Sequence, residues 1–344
     1  MVLPNIESRS DRALTSQSGI TIQDMAYTRL RAPDLDVMEQ FLLDFGMIRS
    51  ARTANALYMR GTGPAHHIHI TELGEEGFIS LAYHARSEED LQRVAGTPGA
   101  SPVHAMDEPG GGQRVLLTEP NNGFRIEIVH GLQRLPELPI GYRHPNWDAQ
   151  IMRGVHDPTR LKFGPAHVRR ISHGVLSTPN LQPTIDWFAR TLGLLRTDEF
   201  YTGNREEGLI GCFYRLDRGS DPVDHHVLNC YLNPVAGYQH ASFVVDSVED
   251  MLIGHNHLSR LAKYKHMRGV GYHPPGGQVY DYWLNPWGQM HELYFPTQQF
   301  TRDNPSNEMP MPPVHDRGSS FANNITRMVA PVIPQNPGHG QDSP

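Results

Sequence analysis

Apolar positions recur along this chain with two periods. The stretch from Met25, MAYTRLRAPDLDVMEQFLLDFGM, opens on an alternation that predicts a strand and turns at Ala32-Pro33-Asp34. It continues with apolar residues three and four apart, which predicts a helix. Leu35, Met38, Phe41, Leu42 and Phe45 share one face of that helix, and Gly46 follows as a left-handed C-terminal cap. The stretch from Ile171, ISHGVLSTPNLQPTIDWFARTLGL, repeats the design. Its helix aligns Leu181, Ile185, Phe188 and Leu192, and stops at Gly193. Further on, GFISLAYHARSEEDL from Gly77 matches YQHASFVVDSVEDML from Tyr238: an apolar strand, a polar turn and a second helix. VLLTEPNNGFRIEIVH from Val115 and VYDYWLNPWGQMHELYF from Val279 then close each half as a strand pair around a Pro-Asn or Pro-Trp-Gly turn.

A chain that says the same thing twice predicts two homologous α+β domains, each with two strand–helix–strand passages. The boundaries expected are an N-terminal extension over 1–19, a first domain over 20–134 and a linker over 135–169. A second domain over 170–298 and a Pro/Asn-rich tail over 299–344, extended or disordered, complete the chain.

Composition narrows the function classes. Apolar residues at 38% and charged residues at 19% provide for packed cores, and 32 glycines with 28 prolines fit many turns between short strands. No apolar run is long enough to span a membrane, and the polar N-terminus lacks the apolar stretch of a signal peptide, so a cytoplasmic protein is expected. A net charge of −7 without a basic run argues against nucleic acid. Cys212 and Cys230 are the only cysteines; both lie in apolar contexts that predict burial, and no disulfide framework is possible beyond them. The 20 histidines are the unusual number, because imidazole is both a metal ligand and a proton shuttle near neutrality.

Comparing the halves sorts those histidines. His173 stands where the first half has Tyr27, His240 where it has Ser80, and Glu292 where it has Glu127. A lone strand histidine is usually structural, but only the second half has two imidazoles and a carboxylate on three strands of a duplicated module. That set suits a facial triad for non-haem Fe(II), with positions open for substrate and oxygen, and Mn(II) suits the same donors. Other features carry a plainer meaning. His66, His67 and His69 are expected on a solvated strand face, with His67 and His69 on the same side, and His291 points away from Glu292 by alternation. Gly110-Gly111-Gly112 precedes a strand and reads as a hairpin turn, not a phosphate loop. Trp283, Trp287, Tyr231 and Phe243 are candidates for a pocket lining.

The pattern Gly271-Tyr272-His273, seven residues, Asp281-Tyr282, two residues, Asn285-Pro286-Trp287-Gly288, three residues, Glu292 resembles the signature of the type I extradiol (catechol-cleaving) dioxygenases of the vicinal oxygen chelate superfamily. It departs from that signature at Asp281, where an apolar residue is usual, and over Pro274 to Gly277. The resemblance spans about residues 20 to 298. It implies two domains of paired βαβββ modules forming open barrel-like sheets, the first without metal. It implies His173, His240 and Glu292 as iron ligands, His226 of the DHHVLNC segment as acid–base residue, with His225 as the fallback, and His273 and Tyr282 as a pair bonding the substrate oxygens. A small aromatic diol and O2 are the implied partners, and a homo-oligomer the implied assembly.

The chemistry asks for these residue types. A catechol binding a divalent metal must lose a proton, an imidazole both accepts and returns one, and a neutral phenol donates to an anionic oxygen. Other members of the superfamily are metal-dependent lyases and isomerases, or bind aromatic ligands without catalysis. The His226, His273 and Tyr282 trio favours ring cleavage over these.

Overall fold

In the computed structural model, residues 20–140, 163–273, 275–296, 298–310 and 333 are described. The first half runs β1 (Ile22–Ala32), α1 (Leu35–Phe45), β2 (Ile48–Arg52), β3 (Ala56–Arg60), β4 (His69–Leu73), β5 (Gly77–Ala85), α2 (Glu88–Ala95), β6 (His104–Ala105), β7 (Gln113–Thr118) and β8 (Arg125–His130). The second runs β9 (Val168–Thr178), α3 (Leu181–Leu192), β10 (Leu195–Tyr201), the single turn α4 (Arg205–Gly208), β11 (Leu209–Arg215), β12 (Val223–Asp224) and β13 (Leu228–Leu232). It continues through β14 (Gly237–Val245), α5 (Val248–Leu261), β15 (Lys265–His273), β16 (Gln278–Leu284), β17 (Met290–Pro296), β18 (Gln299–Phe300) and β19 (Asn307–Pro310).

Each half makes one sheet, and the two sheets have the same plan. The first is ordered β2-β3-β4-β1-β5-β8-β7-β6. The second, read from its other edge, is β10-β11-β13-β9-β14-β17-β16-β15, with β19 added beside β10. In both, two βαβββ modules meet along an antiparallel central pair, β1 with β5 and β9 with β14, flanked by parallel partners. This is the α+β architecture of paired modules that the repeat predicts.

The helices form where the apolar spacing places them and cover one sheet face. All five apolar residues of the α1 face and all four of α3 are buried, each burial contributing roughly 1.5–3 kcal/mol. Asp34 caps α1 by accepting from the Asp36 and Val37 amides. Ser87 and Ser247 cap α2 and α5 in the same way, each accepting from an amide three residues on. Gly46 ends α1 at φ 114°, and a Cβ there would lie 2.2 Å from the Ala166 carbonyl oxygen, so both backbone angle and close approach require glycine.

The halves join through polar and aromatic contacts. The Asn285 side-chain oxygen accepts from the Trp287 and Gln289 amides and shapes the Pro-Trp-Gly turn. Gln289 in turn donates from Nε2 to the carbonyls of Arg31 and Gly77 in the first half. His69 and His291 face each other at 3.1 Å between ring Nε2 atoms, surrounded by Phe41, Phe45 and Phe243.

The tail departs from the sequence expectation at its start. β18 pairs with β12 and β19 extends the second sheet, so residues 299–310 fold back onto the body; Ile333 pairs with Tyr238. The expected extension over 1–19, most of the linker and the rest of the tail lie outside the described residues.

Candidate metal centre

Alternation alone would put Tyr238 and His240 on the same face of β14. A bulge at Gln239 separates them: Tyr238 pairs with Leu176 and His240 with the next residue, Val175. Tyr238 consequently stacks on Phe78 of the first half, at 5.0 Å between centroids, and His240 turns to the opposite face. A second bulge, at Ser172, turns His173 to that face as well. Glu292 of β17 lies opposite Ser242, which pairs with His173 across β14. Three neighbouring strands thus deliver His173, His240 and Glu292 to one spot on the face away from the helices.

All three side chains are buried there. Glu292 Oε2 lies 3.1 Å from His173 Nε2 and 3.2 Å from His240 Nε2, and the donor atoms all lie within 4.8 Å of one another. Yet Glu292 Oε2 and His240 Nε2 have no hydrogen-bond partner among the described residues. They lie 3.2 Å apart without hydrogen-bond geometry, and buried polar atoms left so are costly unless something binds them. A divalent cation with two imidazole ligands and one carboxylate fits that spot. The far ring nitrogens are held, His240 Nδ1 by Gln239 at 2.8 Å and His173 Nδ1 by Ser172 at 3.3 Å, which orients both rings as metal-ligating histidines are oriented. Burial alone would raise the Glu292 carboxyl; the two imidazoles outweigh it and hold it well below the usual carboxylate range.

His226 flanks the cluster, its ring centroid 3.9 Å from that of His173. Its Nδ1 lies 3.0 Å from Nδ1 of His225, whose Nε2 lies 2.7 Å from Asp198 Oδ2. Asp198 accepts from His225 Nε2, and His226 Nδ1 is engaged by both His225 Nδ1 and, at 3.3 Å, Gln278 Nε2, which leaves Nε2 as the other ring nitrogen of His226. Burial, with His173 and His225 nearby, pushes the His226 imidazole well below its ordinary range, which keeps it neutral. On the other flank, His273 Nε2 lies 3.1 Å from the Tyr282 hydroxyl, and the Tyr282 ring lies 5.2 Å from His240. Burial and then the Glu292 charge push the Tyr282 hydroxyl well above 10, so it stays a donor. Burial and the Arg268 guanidinium lower His273 to about 3.

The first half shows what the same positions become without a metal. Register places Tyr27, Ser80 and Glu127 where the second half has His173, His240 and Glu292. Tyr27 donates to Glu127 Oε2 at 2.7 Å and Ser80 donates to Oε1. Arg29 and Arg114 reach the same carboxylate at 3.1 and 3.0 Å. Burial would raise Glu127, and the two guanidinia bring it down to about 2. Both carboxylate oxygens of Glu127 are thus engaged by protein donors, whereas Glu292 Oε2 makes no hydrogen bond among the described residues.

No family model matches the sequence. A curated relative, metapyrocatechase 2 of Cupriavidus necator, is 26% identical over 296 residues, covering 83% of this chain and 84% of its own. Among solved structures, homoprotocatechuate 2,3-dioxygenase of Brevibacterium fuscum, crystallised with 3,4-dihydroxyphenylacetate, superposes with a TM-score of 0.70 at 19% identity, covering 92% of each chain. The fold is that of the extradiol dioxygenases. A Mn(II)-bound glyoxalase of Novosphingobium aromaticivorans superposes on the same extradiol-type fold with a TM-score of 0.72 at 20% identity, covering 93% of this chain and 97% of its own.

Within the extradiol fold, the six residues singled out from sequence come together in the second half. Several neighbours were not legible. Arg268 lies over the rings of Tyr280 and Tyr282 at 4.7 and 5.0 Å, Tyr280 stacks on His273 at 3.9 Å, and Tyr294 lies 5.0 Å from His173. The strand register, which sets Arg268 opposite Tyr282, would have found the first. Three expectations need correction. His66, His67 and His69 are buried, not solvated, because β4 starts only at His69 and the bend before it turns His67 inward. His67 meets Tyr27 and Tyr58 while His69 meets His291, so the two do not share a side. Trp283 and Phe243 face the helix side of the sheet and do not line the centre. Cys212 and Cys230 are buried and free, as expected.

Proposed function

We propose that this chain is an extradiol ring-cleaving dioxygenase, inserting both atoms of O2 into a catechol-type substrate beside its vicinal hydroxyls. The observation that carries this reading is the buried cluster of His173, His240 and Glu292, whose Glu292 Oε2 and His240 Nε2 make no hydrogen bond among the described residues and which has this donor set in one half only. Fe(II), or Mn(II) in the same donors, is the ion assigned to His173, His240 and Glu292. When bound, such an ion supplies positive charge that stabilises a catecholate and a redox-active centre beside O2.

The chain's own groups do the rest. His226 takes a catechol proton at Nε2, and its Nδ1 contact with His225, itself held by Asp198, fixes the ring that later returns it. Tyr282 donates its hydroxyl hydrogen to the substrate oxygen, and His273 fixes the direction of that hydroxyl. Residues 170–298 form the catalytic half in this reading, and residues 20–134 a half that keeps the fold without the ion. Assembly of several copies and a cytoplasmic setting belong to the same proposal.

The test is anaerobic loading with Fe(II), then a panel of alkyl-, aryl- and carboxyl-substituted catechols with and without O2. A yellow semialdehyde product that requires both Fe(II) and O2 is expected. Metal-dependent turnover without O2 would instead assign a lyase or isomerase, and tight catechol binding without turnover a ligand-binding protein.

A further inference from the structure

On the helix-facing side of β16 lies a second cluster of metal-binding residue types. Asp281 is fully buried, and its neighbours Tyr280 and Tyr282 belong to the opposite face. His266 of β15 reaches Asp281 Oδ1 from Nε2 at 2.8 Å, and His255 of α5 reaches Oδ2 from Nδ1 at 3.0 Å. One ligand atom from each residue lies within 4.8 Å of the other two. Trp283 donates to Oδ2 at 2.6 Å and fixes the carboxylate. Both histidine side chains keep contact with solvent, 26% exposed for His255 and 32% for His266, so an ion has a way in.

The duplication shows that the fold does not need these groups. Strand register sets Val115 of the first half at the place of Asp281, since Val115 precedes the partner of Glu127 as Asp281 precedes the partner of Glu292. The serine caps of α2 and α5 set Ala95 at the place of His255. An equivalent helix–sheet contact is therefore made with valine and alanine. A fully buried carboxylate costs free energy that an apolar residue does not, and here that cost is met by three donors, two of them imidazoles of metal-binding type.

We propose that His255, His266 and Asp281 form a second site, distinct from the catalytic centre, for a divalent transition-metal ion of the zinc class. Two imidazole nitrogens and one carboxylate oxygen, with a position left for water, match Zn(II) or Co(II), whereas Mg(II) and Ca(II) prefer all-oxygen shells. The remaining ring nitrogen of His255 is near Ser259 Oγ, at 3.4 Å, in the manner of a supported metal ligand. An ion there clamps α5 to the β15–β16 hairpin, whose other face carries His273 and Tyr282. It takes no part in the reaction.

The test needs no turnover. The full chain carrying His173→Ala and His240→Ala, stripped of metal, is titrated with Co(II) as a spectroscopic probe. One equivalent is expected, with visible d–d bands that Zn(II) displaces. Zn(II) at a hundredfold excess over its Kd should raise the unfolding midpoint by roughly 4 °C. Adding His255→Ala and His266→Ala should remove both responses. Should that fourfold variant fail to fold, His266→Ala alone, at a partly exposed position, should weaken Co(II) binding at least about tenfold. Absence of Co(II) binding in the His173→Ala, His240→Ala chain, or binding indifferent to His266→Ala, would overturn the site and leave a hydrogen-bonded network only.

Discussion

His225 and His226 are adjacent in sequence, and the partners of their ring nitrogens separate their roles. His225 spends both nitrogens, on Asp198 and on its neighbour, while His226 spends Nδ1 and faces the His173 ring. In the proposed reaction a free imidazole nitrogen at that place serves as the proton shuttle, and the imidazole held by a carboxylate positions it. His226→Gln should therefore keep stoichiometric metal and still bind catechol. It should turn over at least about a hundredfold more slowly and lose one limb of the pH–rate profile. His225→Gln should slow turnover by about tenfold or less. Steady-state kinetics with metal analysis of both variants checks this; near-normal turnover of the His226 variant would remove it from the reaction.

At the scale of elements, corresponding strands of the two halves differ in what compensates one glutamate. Glu292 on β17 faces two imidazoles and leaves Oε2 without a hydrogen bond, whereas Glu127 on β8 has two guanidinia and two hydroxyl donors. Ala substitutions at His173, His240 or Glu292 should each abolish stoichiometric metal. Glu127→Gln should leave metal content unchanged and destabilise the protein by about 3 kcal/mol, because Arg29 and Arg114 lose their shared buried counter-charge. Elemental analysis and denaturant midpoints separate the two effects. Metal lost with Glu127→Gln would place the centre in the wrong half.

For the whole molecule, the contact between halves contains a buried histidine pair with pH consequences. Burial lowers both rings, His291 to about 3 and His69 well below 6.5. The unfolded chain binds protons there from about pH 6.5 downward while the folded chain does not. Stability is therefore fully present above about pH 6.5 and falls as the pH drops toward 3, by at most about 1.4 kcal/mol per pH unit for each ring. Replacing the pair by His69→Gln and His291→Gln should flatten the stability profile between pH 6 and 4, read from urea midpoints. An unchanged slope would show that the pair does not govern acid sensitivity.

The sequence by itself determined the elements and their duplication. Apolar spacing placed α1 and α3, and Gly46 and Gly193 ended them, because a helix buries a stripe and needs a left-handed residue to stop. Comparing the halves singled out His173 and His240, beside the glutamate that both halves share, since a residue type gained at an equivalent position answers to something other than the shared fold. Facing directions around bulges and bends were beyond it. The bulge at Gln239 parts Tyr238 from His240, and the bend before β4 buries His67, because one extra residue reverses alternation without any mark in the pattern. Partnerships between distant segments were also decided only in three dimensions. Asp198 with His225, Arg268 with Tyr282, and His255 and His266 with Asp281 are brought together by sheet register and by the packing of α5 on the sheet.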